Sequence, residues 1–397
     1  MYFDLSIDFT TTILLSAAAA ALIYITLPYN LFVRRVARRR KDCESMPAVS
    51  DDAPGWPAVS VIVYSQDEAD ALASLLPVIL NQDYPAAFEV IVVNEGDSSD
   101  VRNTVEPMQL AYRNLYLTHT PDGARNLSRK KLAITLGVKA ARYEVVVLTT
   151  VAAIIGSDKW LRAMTSQMVT DPAKHIVLGY AAPVPGDDRA RGYRRRIFNY
   201  AADSVAWLAP AANRHPYRGT ELNLAYRKDL FFKNKGFSRS LNLHYGDDDI
   251  FISEIATPQN CTVELSHDSI VNFSSYDYSK TFRDIAMRHT FTETFIRRRP
   301  RAMMSSGAPA LWILLGSAAA AIVMSPMNIA VISAALIIIA AALTTVILAW
   351  RGAMTALTLT LTPLRLTIPF FLLMRPFRSV ALIICSRLSH QKKYTWN

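Results

Sequence analysis

The hydrophobic pattern divides the chain into long uncharged stretches and a middle region where short apolar runs alternate with mixed ones. No charged residue lies between Asp8 and Arg34, and Thr10 to Leu27 is an Ala-rich run, close to the ~20 residues that cross a bilayer core. None lies between Arg301 and Arg351. Met324-Ser325-Pro326-Met327-Asn328 breaks that second stretch into Pro309–Val323 and Ile329–Trp350, which predicts a transmembrane hairpin rather than a buried core hairpin. Ala353–Leu373 is apolar but contains Pro363, Arg365 and Pro369, and Arg375, Arg378 and Arg387 follow. Basic residues scattered among Leu, Ile and Phe predict helices lying at the membrane interface, with a third hairpin as the alternative.

The middle region reads as alternating strand and helix. Val59–Tyr64, Phe88–Val93, Leu115–Thr118 and Glu144–Thr149 are continuous Val/Ile-rich strand candidates. Helical patterns fill Glu68–Leu80, Val101–Ala111, Ser128–Ala141 and Asp158–Met168, with Ser128 placed to cap the third and Tyr84-Pro85 ending the first. Strands apolar on both faces, separated by helices, predict a mostly parallel sheet covered on both sides. Ligands of such sheets bind beyond the carboxyl ends of the strands, here Ser65–Glu68, Asn94–Asp97 and Thr149–Ala153. Residues 183–300 are less regular, with Leu222–Tyr226 and Thr262–Ser266 as strand candidates and 183–217 reading as a polar, basic stretch. The predicted organisation is an N-terminal transmembrane anchor (1–33), a basic juxtamembrane linker (34–56), two halves of an α/β domain (57–182 and 183–300), a transmembrane hairpin (301–350) and interfacial helices with a basic tail (351–397).

Composition agrees with this mixture. Of 397 residues 51% are hydrophobic and only 19% charged, against ~25% charged in an average soluble chain. The net charge of +10 collects beside the spans, in Arg34, Arg35, Arg38–Arg40 and Lys41 and in Arg297–Arg299 and Arg301. That placement favours anionic lipid headgroups over nucleic acid and, by the positive-inside rule, predicts a cytoplasmic middle region. Asp4 and Asp8 precede the first apolar run, with no Lys or Arg, so the basic start of a signal peptide is missing and an uncleaved anchor is expected. Cys43, Cys261 and Cys385 lie far apart and form no CxxC, which supports neither a zinc site nor a disulfide framework. GxGxxG, the P-loop pattern and HExxH are missing from the sequence. Spans free of charge argue against a small transporter.

The order of features resembles the family 2 glycosyltransferases, in particular membrane-anchored bacterial ones. The residues that carry the resemblance are Val59-Ser60-Val61-Ile62 with Asp67-Glu68, then Gln82-Asp83-Tyr84-Pro85, Glu89–Gly96 and Ser128-Arg129-Lys130-Lys131-Leu132-Ala133. They continue with Asn223-Leu224-Ala225-Tyr226-Arg227, Gly246-Asp247-Asp248-Asp249-Ile250 and Arg288-His289. The resemblance implies a GT-A-like α/β fold plus transmembrane helices, in a multi-pass protein of the bacterial inner membrane. It implies transfer of a sugar, with inversion, from a nucleotide-diphosphate sugar to a lipid-linked or envelope glycan acceptor.

Within it, Glu68 and Glu95 are expected beside the nucleotide, and Arg129, Lys130, Arg288 and His289 around the diphosphate. Asp247, with Asp248 next, is expected to be the general base; Asn223 and Asp249 are expected on the acceptor side. Basic side chains in the first turn of a helix oppose its dipole, a conflict that a bound phosphate resolves. The family's divalent metal, Mg²⁺ or Mn²⁺, is usually held by an Asp-x-Asp after the fourth strand. Here those positions are Thr150 and Ala152, one neutral oxygen and a methyl group, so no metal ligands are assigned. Three readings stay open: a transferase in which cationic side chains offset the phosphate charge, a metal held through Asp97 or an acid of 247–249, and a fold-retaining protein that assists another glycosyltransferase.

Overall fold

The computed structural model describes residues 8–121, 128–184, 192–241, 243, 245–275, 277–296, 299–359 and 367–388. Pro363 and Arg365 in the interfacial segment, and Arg297 and Arg298 in the second basic flank, lie outside them. The chain separates into two compact units: one built chiefly from residues 39–186 and 210–297, the other from 1–38, 187–209 and 298–382.

The first unit holds all the described strands: β1 (Val59–Ser65), β2 (Phe88–Asn94), β3 (Leu115–His119), β4 (Val145–Thr150), β5 (Ala153–Ile155), β6 (Ile176–Leu178), β7 (Ala181–Pro183), β8 (Leu224–Arg227), β9 (Cys261–Val263) and β10 (Val271–Phe273). Seven form one sheet in the order β3-β2-β1-β4-β8-β6-β9. Strands β1 to β4 are mutually parallel, and β8 runs antiparallel to both β4 and β6. All of β4 and nearly all of β1 and β2 are buried, which is why their sequences are continuous apolar runs rather than alternating ones. The other three form a second sheet in the order β5-β10-β7. The expected helices appear as Ala69–Leu80, Ser99–Ala111, Arg129–Ala140 and Trp160–Thr170. This is the mostly parallel, helix-covered α/β architecture that the sequence predicts.

The second unit is helical. Phe9–Ser45 is one continuous helix of 37 residues, so the expected boundary at 33/34 falls inside it. A π-helical turn at Ile25–Tyr29 contains Pro28; proline lacks the N–H that the α-helical ladder needs, and widening the turn absorbs the defect. The hairpin forms as Gly307–Met324 and Ile329–Ala356, and Asn328 caps the second helix by accepting from Val331 N at 3.2 Å. Ala18, Ala318 and Ala335 pack together with no exposed surface; small residues let apolar helices approach closely. Gly307 fits for the same reason, since a Cβ there would lie 2.1 Å from the ring of Tyr29.

Two segments differ from the sequence reading. Tyr193–Ala212, inside the stretch that reads as polar and basic, is a 20-residue helix: its Arg-rich first turn masks the apolar Ile197-Phe198 pair and the Val205–Ala212 run that follow. After the end of Ile329–Ala356, the segment 351–397, expected to hold several helices, has one described helix of 21 residues, Ile368–Leu388. Pro369 sits in its first turn, where a missing N–H costs nothing. Four helices are thus long and apolar enough to cross a membrane.

Candidate active site

β1, β2 and β4 run in parallel register, with Ser65 beside Asn94 and Tyr64 beside Thr150, so their carboxyl ends open on one edge. At that edge Glu95 accepts from the Tyr64 hydroxyl and from Gln66 Nε2 at 3.3 Å. Burial and then the Glu95 carboxylate push the Tyr64 phenol well above its usual range. Glu68 is exposed at the head of the helix Ala69–Leu80, and accepts from Gln66 N at 3.3 Å. The two glutamates therefore share one rim.

The helix Arg129–Ala140 brings its first turn to the same edge. Ser128 caps it, its Oγ accepting from Lys131 N at 3.4 Å. Successive residues of a helix point ~100° apart, and the three cations diverge accordingly. Arg129 is exposed. Lys130 Nζ lies over the Tyr64 ring at 5.4 Å, 3.1 Å from Asp247 Oδ2 and against the Glu221 carboxylate. Lys131 is fully buried, and its Nζ donates to the backbone carbonyls of Ser240, Leu243 and Tyr245 at 2.5, 3.0 and 2.9 Å. Burial pushes its ammonium down to about 8, against the pull of Asp247 and Asp249. Lys131 thus anchors the segment that leads into the acidic run.

Gly246 precedes that run at φ +103°, and a Cβ on it would lie 2.4 Å from Ile250 Cδ1. The turn aims Asp247, Asp248 and Asp249 at different partners. Asp247 is 1% exposed, between Lys130 and Arg288 Nη2 at 3.4 Å. Burial raises its pKa, but Lys130, Arg288 and Lys131 outweigh burial and hold it below the usual carboxylate range. Asp248 caps the helix Asp249–Ile255 by accepting from Asp249 N at 2.8 Å, and also accepts from Arg288 Nη2 at 3.0 Å. Asp249 is sealed: it accepts from Thr292 Oγ1 and lies 3.5 Å from Arg218. Burial and then Asp248 raise its pKa.

Arg288, on the helix Tyr278–Thr292, closes the cluster. Its two terminal nitrogens grip Glu221 in a fork, 3.1 Å to each oxygen, and its guanidinium lies 5.3 Å from the Tyr245 ring centroid. Two cations, Lys130 and Arg288, therefore sit among three carboxylates: Glu221, Asp247 and Asp248. Burial strengthens each attraction, and the forked Arg–carboxylate geometry adds direction.

Of the residues expected at the site, Lys130, Arg288, Asp247 and Asp248 are brought into direct contact. Glu68 and Glu95 line the adjoining rim, and His289 offers the cluster its backbone, its carbonyl accepting from Arg218 Nη2 at 3.3 Å. Asn223 lies elsewhere. It is fully buried, donates to the carbonyls of Tyr180 and Ser269 at 3.1 and 2.7 Å, and accepts from Trp160 Nε1 at 3.1 Å. All three bonds are spent inside the core, so it holds strands together and has no group left for an acceptor.

Thr150 Oγ1 accepts from Ala152 N at 3.3 Å, and Ala152 is exposed. One neutral hydroxyl and a methyl do not fit a divalent ion that wants carboxylate oxygens. Asp97 pairs instead with Arg102 at 3.0 Å. Among the described residues no group of three or more His, Cys, Asp or Glu is placed to hold a metal.

Glu221, Arg218 and Thr292 are the members that sequence reasoning misses. Glu221 lies two residues before Asn223 in an unremarked loop, and its partners are 67 and 91 positions away; no local pattern announces such a pairing.

The fold that these strands define is GT-A-like. Among solved structures it is similar to a mannosyltransferase from Pyrobaculum calidifontis, in complex with GDP-Man and Mn²⁺, at 21% identity and a TM-score of 0.52, covering 92% of this chain and 99% of that one. A looser likeness is to glucosyl-3-phosphoglycerate synthase from Mycobacterium tuberculosis, in complex with Mn²⁺, UDP-glucose and phosphoglyceric acid, at 14% identity and a TM-score of 0.41, covering 61% of this chain and 83% of that one. No protein-family profile and no curated protein sequence matches the chain.

Proposed function

We propose that the protein is a membrane-bound glycosyltransferase that passes a sugar, with inversion, from a nucleotide-diphosphate sugar to a lipid-linked or envelope glycan acceptor. The observation that carries this reading is the cluster of Lys130 and Arg288 with Glu221, Asp247 and Asp248 at the ligand-binding edge of the sheet. The mannosyltransferase of similar fold holds GDP-Man, which supports a donor of that class. In this reading Glu95 and Glu68 meet the nucleoside, and Lys130 and Arg288 take the diphosphate in place of the carboxylate-held metal that Thr150 and Ala152 do not fit.

The same exchange prepares the base. With Lys130 and Arg288 paired to it, Asp247 is held ionised but weakly basic. A diphosphate that draws both cations away removes the charges that depress it, and raises its basicity toward the acceptor hydroxyl. Asp247 then accepts the hydroxyl proton while the oxygen attacks the sugar carbon, and the departing diphosphate keeps its negative charge against Lys130 and Arg288.

Two measurements test this. Calorimetry on the detergent-solubilised protein with UDP, GDP and their sugars, in EDTA, should show binding. Asp247→Asn should bind the donor but lower the transfer rate by ~10²–10⁴-fold, in a protein that still folds but melts at a lower temperature because two buried cations lose a partner. A variant that keeps the wild-type rate removes Asp247 from the mechanism. The empty metal motif favours a second reading, a catalytically impaired partner of another transferase; donor binding without turnover by the wild type would select it.

A further inference from the structure

The net charge of +10 is unevenly shared. The helical unit (residues 1–38, 187–209 and 298–382) carries fifteen Arg and no Lys against five Asp and no Glu, while the rest of the chain is balanced. Within that unit Asp203, on the helix Tyr193–Ala212, receives Arg375 Nη2 at 2.9 Å and both terminal nitrogens of Arg378 at 3.1 and 2.8 Å. The two arginines belong to the helix Ile368–Leu388, which is long and apolar enough to cross a membrane. Ionisable groups in such a helix are expensive and face a partner. Here two guanidiniums face one carboxylate. The other acid described in the unit, Asp8, caps its own helix by accepting from Thr10 N at 3.3 Å, so among the described residues two guanidiniums share one carboxylate.

Three buried donors of this unit lack an acceptor. Arg375 Nη1 is buried without an acceptor, and so are the Tyr29 hydroxyl and the Trp350 indole N–H. Tyr29 and Trp350 are each 1% exposed, the Tyr29 hydroxyl feels the charge of Arg375, and the Trp350 indole lies beside that hydroxyl. Phe198 packs on Trp350 and on Phe371, each at 5.5 Å between ring centroids, and so ties the helices of Trp350 and Arg375 to that of Asp203. A buried donor without an acceptor costs ~1–3 kcal/mol, and an uncompensated charge in apolar surroundings costs more. A structural staple between two helices needs one arginine per aspartate; it explains neither the second guanidinium nor the surrounding donors.

We propose that Arg375 and Arg378, steered by Asp203 and backed by Tyr29 and Trp350, form a binding site for a phosphate group carried on a lipid. A phosphate supplies the missing negative charge and acceptor oxygens, and it matches the arginine fork. About a fifth to a quarter of each arginine side chain remains accessible, 21% and 25%, which leaves a face for a headgroup to meet. The site lies in the helical unit and does not rest on the transferase reading.

The test uses the full chain in non-ionic detergent, titrated with dioleoyl phosphatidic acid, with dioleoyl phosphatidylcholine and with sodium phosphate, and read by native mass spectrometry and melting temperature. The expected result is a one-to-one adduct with phosphatidic acid that also raises the melting temperature, and weaker binding of the zwitterionic lipid. Inorganic phosphate binding as tightly as the lipid would keep the site but assign it to a free anion. Arg375→Gln with Arg378→Gln should weaken phosphatidic acid at least ~10-fold, while Asp203→Asn, which removes the competing internal anion, should bind at least as tightly as wild type. Should the double variant not fold, Arg375→Lys keeps the charge and loses the fork, and a several-fold loss is expected. Equal affinity in wild type and the arginine variants, or loss of binding in a folded Asp203→Asn, overturns the proposal.

Discussion

Neighbouring residues of one type meet opposite fates at this site. Lys130 reaches the charge cluster while Lys131 is locked against three carbonyls, because one helical step turns a side chain by ~100°. In the acidic run, Asp247 is gripped by cations, Asp248 caps a helix and Asp249 is sealed beside Thr292 and Arg218. Glu221 bears most directly on the proposed donor binding, since its carboxylate engages both Lys130 and Arg288. An anionic ligand must displace it to reach either cation. Glu221→Gln should therefore tighten nucleoside-diphosphate binding by about tenfold, the scale of one charge-assisted hydrogen bond, in a calorimetric titration with EDTA present. Unchanged or weaker binding would mean that Glu221 orients the cations instead of competing for them.

At the scale of elements, the long strands and their helices were legible because each repeats one signal over many residues. β1, β2 and β4 are read directly from their Val/Ile runs, and the Ser128 cap appears where its position before the helix predicts it. The three-residue strands β5, β6, β7 and β10 were not legible; they owe their form to pairing partners far away in sequence rather than to propensity. The turn that starts the acidic run has a backbone cause, Gly246 at φ +103° with Ile250 against it. Gly246→Ala should cost ~1–3 kcal/mol for the strained dihedral, lower the melting temperature by several degrees and weaken donor binding by displacing Asp247. Wild-type melting and wild-type affinity together would show that the turn relaxes without moving the carboxylate.

Across the whole molecule, charge and hydropathy are partitioned. The strand-bearing unit is electrically balanced, and the helical unit carries the entire excess of +10. Four helices there or at its edges are long and apolar enough to cross a membrane. A protein held only by electrostatic attraction leaves a membrane when salt screens it, whereas one held by apolar spans does not. The chain should stay in the membrane pellet through washes with high salt and with alkaline carbonate and leave it only with detergent. Release by salt alone would place these helices on the surface.

The sequence by itself determined the apolar helices and the parallel core of the sheet, and it singled out Lys130, Asp247, Asp248 and Arg288, which the structure brings into contact. Those features depend on local pattern: length of an uncharged run, continuity of Val and Ile, a cap, a cluster of like charges. The tertiary structure alone decided which lysine of the Lys130-Lys131 pair faces the cleft, that Asn223 is sealed in the core, that Glu221 bridges Lys130 and Arg288, and that Arg375 and Arg378 converge on Asp203. The physical reason is that an ion pair or a buried hydrogen bond depends on distance in space, and these partners lie tens to hundreds of residues apart along the chain.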